Sequence, residues 1–461
     1  MTSSLRRNVG TVDDLHESAM RVTGLDDFGD DDYRDALEVL LQSYADDAEL
    51  TELGSKMFRF FLKGALVARL ISESSWKANP SYAQGRVERP IFVTGLPRTG
   101  TTALHRLLTA DPAHQGLEMW LCDFPQPRPP REQWADNPVY QQINAGFAQH
   151  HVENPEFMGL HYMDAGEVEE CWQLLRQNVM SISYESLAYL PTYSWWLACQ
   201  DWTPTYARHK RNLQLIGAND PGKRWVLKNP SHLFALDALM ATYPDALVIQ
   251  THRAPETIIA SMCSLAEHAT PDWSTTFVGD RIGESQLELW SRGLRDFAAA
   301  RERYDPNQFV DVDFADLRKD PFGVVEKVYA ALGSEVSDAA RAEMTRLDEE
   351  SRTGARKPQH TYQLADYGLG RRKGGVGDLD GARPAGGGLG RRGGGQFGSA
   401  LLQALGQFGE DLVGLAKQLG AGLGTFEVEL NVVFPGDADA AVDLNRISGD
   451  GGKGLRAVQV R

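Results

Sequence analysis

Long apolar runs, cysteine and positive charge are all scarce in this sequence of 461 residues. No run of about 18 consecutive apolar residues occurs, so we expect no membrane-spanning helix. The Asp-rich start lacks the apolar segment of a secretory signal, which predicts a cytoplasmic protein. The four cysteines, at 122, 171, 199 and 263, fit neither a metal clip nor a disulfide scaffold, so we expect reduced thiols in the core.

The charge balance excludes one class of partner. Lysine and arginine number 47 against 63 acidic residues, a net charge of -16, which argues against nucleic acid or an anionic membrane as the main partner. The first 50 residues alone hold 13 acidic and 4 basic side chains. Because more than half of the excess is local, an anion site elsewhere in the chain remains compatible with the composition.

Short apolar runs between helical stretches predict the fold class. They lie at residues 91–94, 225–227, 246–250 and 309–312, and buried strands of this length alternating with helices are typical of a parallel sheet. We therefore predict an α/β protein, a three-layer α/β/α fold with a central parallel sheet.

Four regions are predicted along the chain. Residues 1–89 form an N-terminal helical cap, because apolar side chains recur there at spacings of three and four. Residues 90–369 form the main domain, and 130–215 within it are a helical insertion rich in Trp and Tyr that suits an acceptor-binding wall. Residues 370–461 are an appended, fused or frame-shifted tail, since 13 of the 29 residues from 370 to 398 are glycine.

Two glutamates of the insertion are interpreted structurally. Asp164 and Glu167 have the spacing of a capping box, which predicts a helix running on through Leu175. Glu167 would then be part of the cap, and Glu170 would lie on the solvated face of that helix rather than in a site.

The strongest motif follows the first predicted strand. Residues 94–102, Thr-Gly-Leu-Pro-Arg-Thr-Gly-Thr-Thr, lead directly into a predicted helix. Gly95 and Gly100 allow the backbone to curl around an anion, and the helix offers unpaired N–H groups and the positive end of its dipole. The sequence therefore predicts a P-loop-like phosphate loop.

A nucleotide triphosphatase or kinase is the first alternative for such a loop. Its pattern requires lysine where this chain has Thr101, and Arg98 is the only cation of the motif. The strand that ends near residue 250 continues into Thr251, His252 and Arg253 rather than into an Asp for Mg²⁺. The motif is therefore poorly suited to a Mg-bound triphosphate.

The loop instead resembles the 5'-phosphosulfate loop of sulfotransferases that use 3'-phosphoadenosine 5'-phosphosulfate (PAPS). Arg253 and Ser261, eight residues apart, are similar to that family's 3'-phosphate motif, and Lys228 lies in a strand-end segment, 225–233, that also looks like the family. The resemblance implies that PAPS binds the 3'-phosphate pair and the loop residues Gly95, Pro97, Arg98, Thr99, Gly100, Thr101 and Thr102.

The resemblance further implies sulfuryl transfer from PAPS to a hydroxyl or amine of a small-molecule, lipid or carbohydrate acceptor, without a metal. Lys228 would bridge to the transferring group. Two residues compete as the base: Glu118, at the position of the carbohydrate branch's catalytic glutamate, and His232, near that of the cytosolic branch's histidine. We favour His232, whose ordinary pKa suits a base.

Two alternatives to this reading stay open. One is a nucleotide-dependent kinase, and the other is a non-catalytic PAPS-binding homologue. Within the resemblance, residues 372–378 (Arg-Lys-Gly-Gly-Val-Gly-Asp) match the clasp that cytosolic sulfotransferases place on the 3'-phosphate, and Lys357 and His360 compete for that role.

Overall fold

The structure, a computed structural model, describes residues 9–153, 164–353 and 363–369. Its strands are β1 (Ile91–Gly95), β2 (His114–Gln115), β3 (Arg224–Lys228), β4 (Leu247–His252) and β5 (Phe309–Asp313). The α-helices are α1 (Val12–Thr23), α2 (Arg34–Asp46), α3 (Glu52–Ala78), α4 (Thr101–Thr109), α5 (Met119–Asp123), α6 (Pro138–Glu153), α7 (Trp172–Arg176), α8 (Pro191–Ala198), α9 (Thr203–Ile216), α10 (Leu236–Thr242), α11 (Pro255–Ala269), α12 (Asp280–Arg301), α13 (Phe314–Lys319), α14 (Pro321–Ala331) and α15 (Asp338–Thr353). Short 3₁₀ helices lie at Pro80–Gln84, Arg131–Asp136, Gly217–Asn219, Pro230–Leu233, Pro306–Gln308 and Leu364–Tyr367.

The five strands form one parallel sheet in the order β2-β3-β1-β4-β5. Val93 of β1 pairs with Lys228 at the end of β3, and Gly95 pairs with Thr251 near the end of β4. The chain runs from β1 to strands on one side and then returns to the other side, which makes the carboxyl end of β1 a switch point. Ligands of open α/β sheets bind at such points.

Helices cover both faces of this sheet. Phe92 and Val248 pack into a core shared with the N-terminal helices and with the helices of residues 164–216. Ile91 and Val93, which alternate with Phe92 along β1, face a second core with side chains of α4, α14 and α15. The predicted three-layer α/β/α architecture is therefore confirmed.

The N-terminal helices are tied to the insertion through one buried cation. Arg69 of α3 has a fully buried side chain, and its Nε donates to the carbonyl oxygen of Phe28 at 2.7 Å. Its Nη2 pairs with Asp32 Oδ1 at 2.6 Å. Its Nη1 donates to the carbonyl oxygen of Gln177 at 3.1 Å and to Asn178 Oδ1 at 3.2 Å. This arginine cluster joins α3, the loop before α2 and the residues after α7, and it satisfies the donors of a guanidinium removed from water.

Three details differ from the sequence-based expectations. The strand β2 was not predicted, since two residues with polar side chains carry no periodic signal. The helix expected to open at Asp164 instead begins at Trp172; Asp164 Oδ1 accepts from the Gly166 N–H in a local turn. Cys199 is exposed, whereas the other three cysteines are buried, and all four are free thiols.

No helix within the described ranges is long and apolar enough to cross a membrane. The predicted tail, residues 370–461, lies outside the described residues.

Candidate active site

The loop between β1 and α4 is shaped by residues in left-handed backbone conformations. Gly95 has φ of 143°, Gly100 has φ of 90°, and Arg98 between them has φ of 69°. A Cβ atom on Gly95 would lie 2.4 Å from Thr251 Oγ1, and one on Gly100 would lie 2.8 Å from Leu317 Cδ2. Both conformation and close packing therefore require glycine at the two ends of the loop.

Helix α4 opens at the end of this loop with free donors. Gly100 occupies its N-cap and supplies no side-chain cap, so the first N–H groups lack intrahelical partners. Thr101 and Thr102 occupy the first two helical positions, and Thr102 is exposed. Thr99, in contrast, is buried and donates its hydroxyl to the carbonyl oxygen of Leu96 at 2.6 Å, which holds the loop in shape. N–H groups, hydroxyls and the helix dipole make this end attractive to an anion.

Lys228 brings a buried positive charge to the same place. It ends β3, and its side chain is only 3% exposed. Its Nζ donates to Thr102 Oγ1 at 3.2 Å and to Glu170 Oε1 at 2.5 Å. The structure thus brings the strand-end lysine into contact with Thr102 of the phosphate loop and with the carboxylate of Glu170.

Arg253, after β4, closes the other side of the loop. Its Nη1 donates to the carbonyl oxygen of Arg98 at 2.9 Å, and its guanidinium carbon lies 4.4 Å from the ring centroid of Phe314. Ser261 lies in the middle of α11 and is 5% exposed. No hydrogen bond joins Ser261 to Arg253 in the described part of the chain, so their shared phosphate role stays a prediction.

The family follows from a comparison with known proteins. A family model described as "Sulfotransferase family" matches residues 90–338, more than half of the 461 residues. The chain belongs to the sulfotransferase family. The matched region starts just before β1 and contains the loop, Lys228 and Arg253.

Solved and curated sulfotransferases resemble this chain over most of its described length. Sulfotransferase STF1 from Mycobacterium tuberculosis H37Rv is 63% identical with a TM-score of 0.75, covering 79% of this chain and 97% of that one. Sulfotransferase STF9 from Mycobacterium avium is 26% identical with a TM-score of 0.68, covering 78% and 93%. Omega-hydroxy-beta-dihydromenaquinone-9 sulfotransferase Stf3 from Mycobacterium bovis is 26% identical over 257 residues, which are 53% of this chain and 62% of Stf3.

Glu118, one of the two bases considered for this sulfotransferase, lies in an ion pair. Its Oε2 accepts from Arg128 Nε at 3.0 Å, and Arg128 also binds Asp220 at 2.9 Å. Burial raises the pKa of Glu118, while the Arg128 charge opposes that shift. No hydrogen bond links Glu118 to Lys228 or to residues 95–102 within the described ranges. Its catalytic role stays a prediction.

His232, the favoured base, lies in the core of this sulfotransferase. Its side chain is fully buried, its Nδ1 is 2.6 Å from the Tyr206 hydroxyl, and its ring packs edge-on to Phe92 with 5.0 Å between centroids. Burial lowers its pKa well below 6.5, so the ordinary pKa that favoured it is not the pKa of this imidazole. Like Glu118, it makes no hydrogen bond to Lys228 or the loop in the part of the chain that the structure describes.

Glu170 is the residue of this site that sequence reasoning missed. It was assigned to a solvated helix face, but it precedes α7 and its side chain is 14% exposed against Lys228. Glu167 pairs with Arg106 at 2.9 Å and does not cap a helix. The residues before α7 run beside the start of α5, where Glu118 and Val168 form a β-bridge, and this pairing competes with helix formation. The one signal for Glu170 is the start of α7 at Trp172, because this start leaves Glu170 outside the helix.

Several predicted residues cannot be compared with this geometry. Lys357, His360 and the glycine-rich match at 372–378 lie outside the described residues. Within the described residues, no group of three or more His, Cys, Asp or Glu side chains is arranged to hold a metal ion.

Proposed function

We propose that this protein transfers the sulfuryl group of PAPS to a hydroxyl group of a small-molecule or lipid acceptor. The observation that carries the proposal is the contact of buried Lys228 with Thr102 at the opening of α4. It combines a cation, a hydroxyl and free helix N–H groups at the switch point of the sheet, where a transferring anion needs charge stabilisation.

The loop and its flanking cations would each bind a different group of the donor PAPS. The backbone N–H groups of residues 98–102, together with the side chains of Arg98, Thr101 and Thr102, would hold the 5'-phosphate. Lys228 would reach the oxygen that leaves sulfur. Arg253 and Ser261 would bind the 3'-phosphate, which distinguishes PAPS from other adenine nucleotides.

A lipid hydroxyl is the acceptor class that the relatives support. Stf3 is named for a hydroxylated menaquinone. Trp134, Tyr184 and Tyr193, aromatic residues of this chain's insertion, are buried in the core. A kinase activity has no comparable support, since Thr101 stands at the lysine position of the kinase loop and β4 ends in Thr251 and His252 rather than in an Asp for Mg²⁺.

Calorimetry with three nucleotides tests the donor assignment. Adenosine 3',5'-bisphosphate, the product of PAPS, is expected to bind more tightly than adenosine 5'-phosphate by roughly 2 to 4 kcal/mol, because two contacts to a charged phosphate are lost. Mg-ATP serves as the kinase control. Equal affinities for the two adenosine phosphates, or tightest binding of Mg-ATP, would contradict the proposal. Mass spectrometry of a lipid extract incubated with PAPS then identifies molecules that gain a sulfuryl group.

A further inference from the structure

A second group of polar side chains lies beyond Glu170, where α5 and α7 meet. Asp123 is the last residue of α5, and Gln173 and Arg176 belong to α7. Gln173 Nε2 donates to Asp123 Oδ1 at 2.7 Å, and Arg176 Nη1 donates to Gln173 Oε1 at 2.9 Å. The amide of Gln173 therefore links a carboxylate to a guanidinium. These three residues are called the Asp-Gln-Arg cluster below.

The two charges of this cluster form no ion pair with each other or with any other described residue. Arg176 Nε donates to Ser183 Oγ at 2.8 Å, but within the described ranges Arg176 Nη2 and Asp123 Oδ2 have no hydrogen-bond partner. Opposite charges attract each other strongly where little water separates them. Because Gln173 stands between them, the carboxylate and the guanidinium each keep one unused hydrogen-bonding atom.

The cluster lies in a recess of the protein rather than on an open surface. Asp123, Gln173 and Arg176 are all half-buried, so solvent reaches each of them. Burial nevertheless raises the pKa of Asp123 to about 6 and lowers the pKa of Arg176. Side chains that solvent reaches, and that protein nonetheless surrounds closely enough to shift their pKa values, line a concave site.

Aromatic rings from α3 and from the segment after α7 fix the guanidinium. The guanidinium carbon of Arg176 lies 5.2 Å from the ring centroid of Phe61 and 5.7 Å from that of Tyr184. Tyr184 is only 1% exposed, and its hydroxyl has no hydrogen-bond partner among the residues that the structure describes. Buried hydroxyls are nearly always hydrogen-bonded, so an unpartnered one beside a partly used guanidinium indicates a binding site.

The recess is near enough to the phosphate loop for one acceptor molecule to reach both. Glu170, which contacts Lys228, precedes Gln173 by three residues, and Arg176 lies one helical turn further along the chain. Three extended residues followed by one helical turn span at most about 16 Å. The head of a lipid, or a small molecule of ordinary size, covers this distance.

Resting on the proposed function, we infer that the Asp-Gln-Arg cluster binds a second, uncharged polar group of the acceptor, a pair of neighbouring hydroxyls. One hydroxyl would accept from Arg176 Nη2, and the other would donate to Asp123 Oδ2. Asp123 would repel a carboxylate at this position, and Arg176 would repel an ammonium group. The acceptor is therefore polyhydroxylated, as a sugar-bearing lipid is, and its reacting hydroxyl is a different one, held at the phosphate loop.

The test compares two acceptors with labelled PAPS: octyl maltoside, whose sugar rings carry neighbouring hydroxyls, and octanol, which has a single hydroxyl. We expect the wild type to prefer the maltoside by about tenfold or more in kcat/KM. Arg176→Gln and Asp123→Asn should each abolish this preference by raising KM for the maltoside, while kcat/KM for octanol stays within about twofold of the wild type.

The matched control is Arg211→Gln in α9, which removes another guanidinium stacked on a ring, 3.7 Å from the ring centroid of Trp76. This variant should keep the preference for the maltoside. The melting temperature and the affinity for adenosine 3',5'-bisphosphate are measured for every variant, so that misfolding and loss of donor binding are detected separately. If Arg176→Gln does not fold, Arg176→Lys takes its place, since it keeps the charge but lacks the second guanidinium edge.

A wild type without the preference, or a preference that survives both substitutions, would overturn the inference. Equal losses on the two acceptors would also overturn it, because the cluster would then support only the fold. A wild-type protein that binds the bisphosphate but transfers sulfuryl groups to neither acceptor, nor to any molecule of a lipid extract, would refute the proposed function itself. Loss of the preference through KM for the maltoside alone would establish the cluster as a site for the acceptor.

Discussion

Among the residues that the structure describes, three histidines are completely buried, and their burial couples stability to pH. Burial lowers the pKa of His105 and of His209 to about 3, and that of His232 well below 6.5. Each is neutral in the folded state but takes up a proton in the unfolded chain as pH falls below about 6.5. At low pH the unfolded state therefore binds more protons than the folded state does. Because of this difference, the free energy of unfolding decreases as the pH falls below about 6.5.

Replacing one of these histidines should weaken that dependence. We expect the free energy of unfolding of the wild type to fall by about 2 kcal/mol more than that of His209→Gln between about pH 7 and pH 5. Asp123 opposes the trend in both proteins, because burial raises its pKa to about 6, and it cancels in the comparison. Urea unfolding at the two pH values provides the measurement. If the free energy of unfolding fell by the same amount in the two proteins between these pH values, His209 would have to be protonated in the folded state as well.

At the site, individual residues were predictable where the backbone defines them. Gly95 and Gly100 were identified from spacing, because the left-handed loop accepts little else, and Lys228 from its place at a strand end. Glu170 was not, since its position depends on pairing between two segments about 50 residues apart in the sequence. The burial of His232 had the same cause, because packing against Tyr206 and Phe92 is a tertiary property.

Among the elements, the phosphate loop is the one whose geometry is most easily tested. Gly100→Ala would place a Cβ 2.8 Å from Leu317 and 3.0 Å from Phe314, in addition to the strain of its positive φ. Gly222→Ala is the matched control, since it has φ of 85° and nothing within 4 Å of a new Cβ.

We expect both variants to lose about 1 kcal/mol of stability from backbone strain. Only Gly100→Ala should also weaken adenosine 3',5'-bisphosphate binding, because α4 must shift from α13 to relieve the clash. Thermal melting and calorimetry separate the two effects. If Gly100→Ala bound the nucleotide with unchanged affinity, the assignment of this loop to the nucleotide-binding site would be wrong.

The strands were predicted more completely than the helices of the insertion. The four apolar runs became β1, β3, β4 and β5 with ends shifted by one or two residues, because a parallel strand covered on both faces must be apolar throughout. The helix at Asp164 was predicted from a local capping pattern, and it failed because hydrogen bonds to residues 117–120 use the same backbone groups. A local sequence pattern therefore determines a helix or strand only where no distant segment competes for the same backbone hydrogen bonds.

For the molecule as a whole, the end of the folded domain can be located experimentally. Tyr367 is 4% exposed and donates its hydroxyl to Glu267 Oε2 at 2.9 Å, so the 3₁₀ helix Leu364–Tyr367 is part of the domain. The glycine-rich sequence begins at residue 370. A chain ending at Leu369 is expected to keep full adenosine 3',5'-bisphosphate affinity and melting temperature, whereas Tyr367→Ala should lower the melting temperature.

The opposite outcome has a definite meaning. If truncation after Leu369 reduced the affinity by about 2 kcal/mol, the loss of Arg372 and Lys373 would identify residues 372–378 as a clasp on the 3'-phosphate. Calorimetry on the full and shortened chains distinguishes the two results, and the melting temperature shows whether the shortened chain is folded.

The arginine cluster around Arg69 has a consequence for the order of events during synthesis. Its partners Phe28 and Asp32 leave the ribosome before Arg69 does, but Gln177 and Asn178 follow 108 and 109 residues later. A guanidinium that lacks these carbonyl partners is costly to bury, so it keeps its water until they emerge. We therefore expect the N-terminal helices to reach their final packing only after the insertion has been translated, so that their apolar faces stay uncovered for about 108 further residues of synthesis.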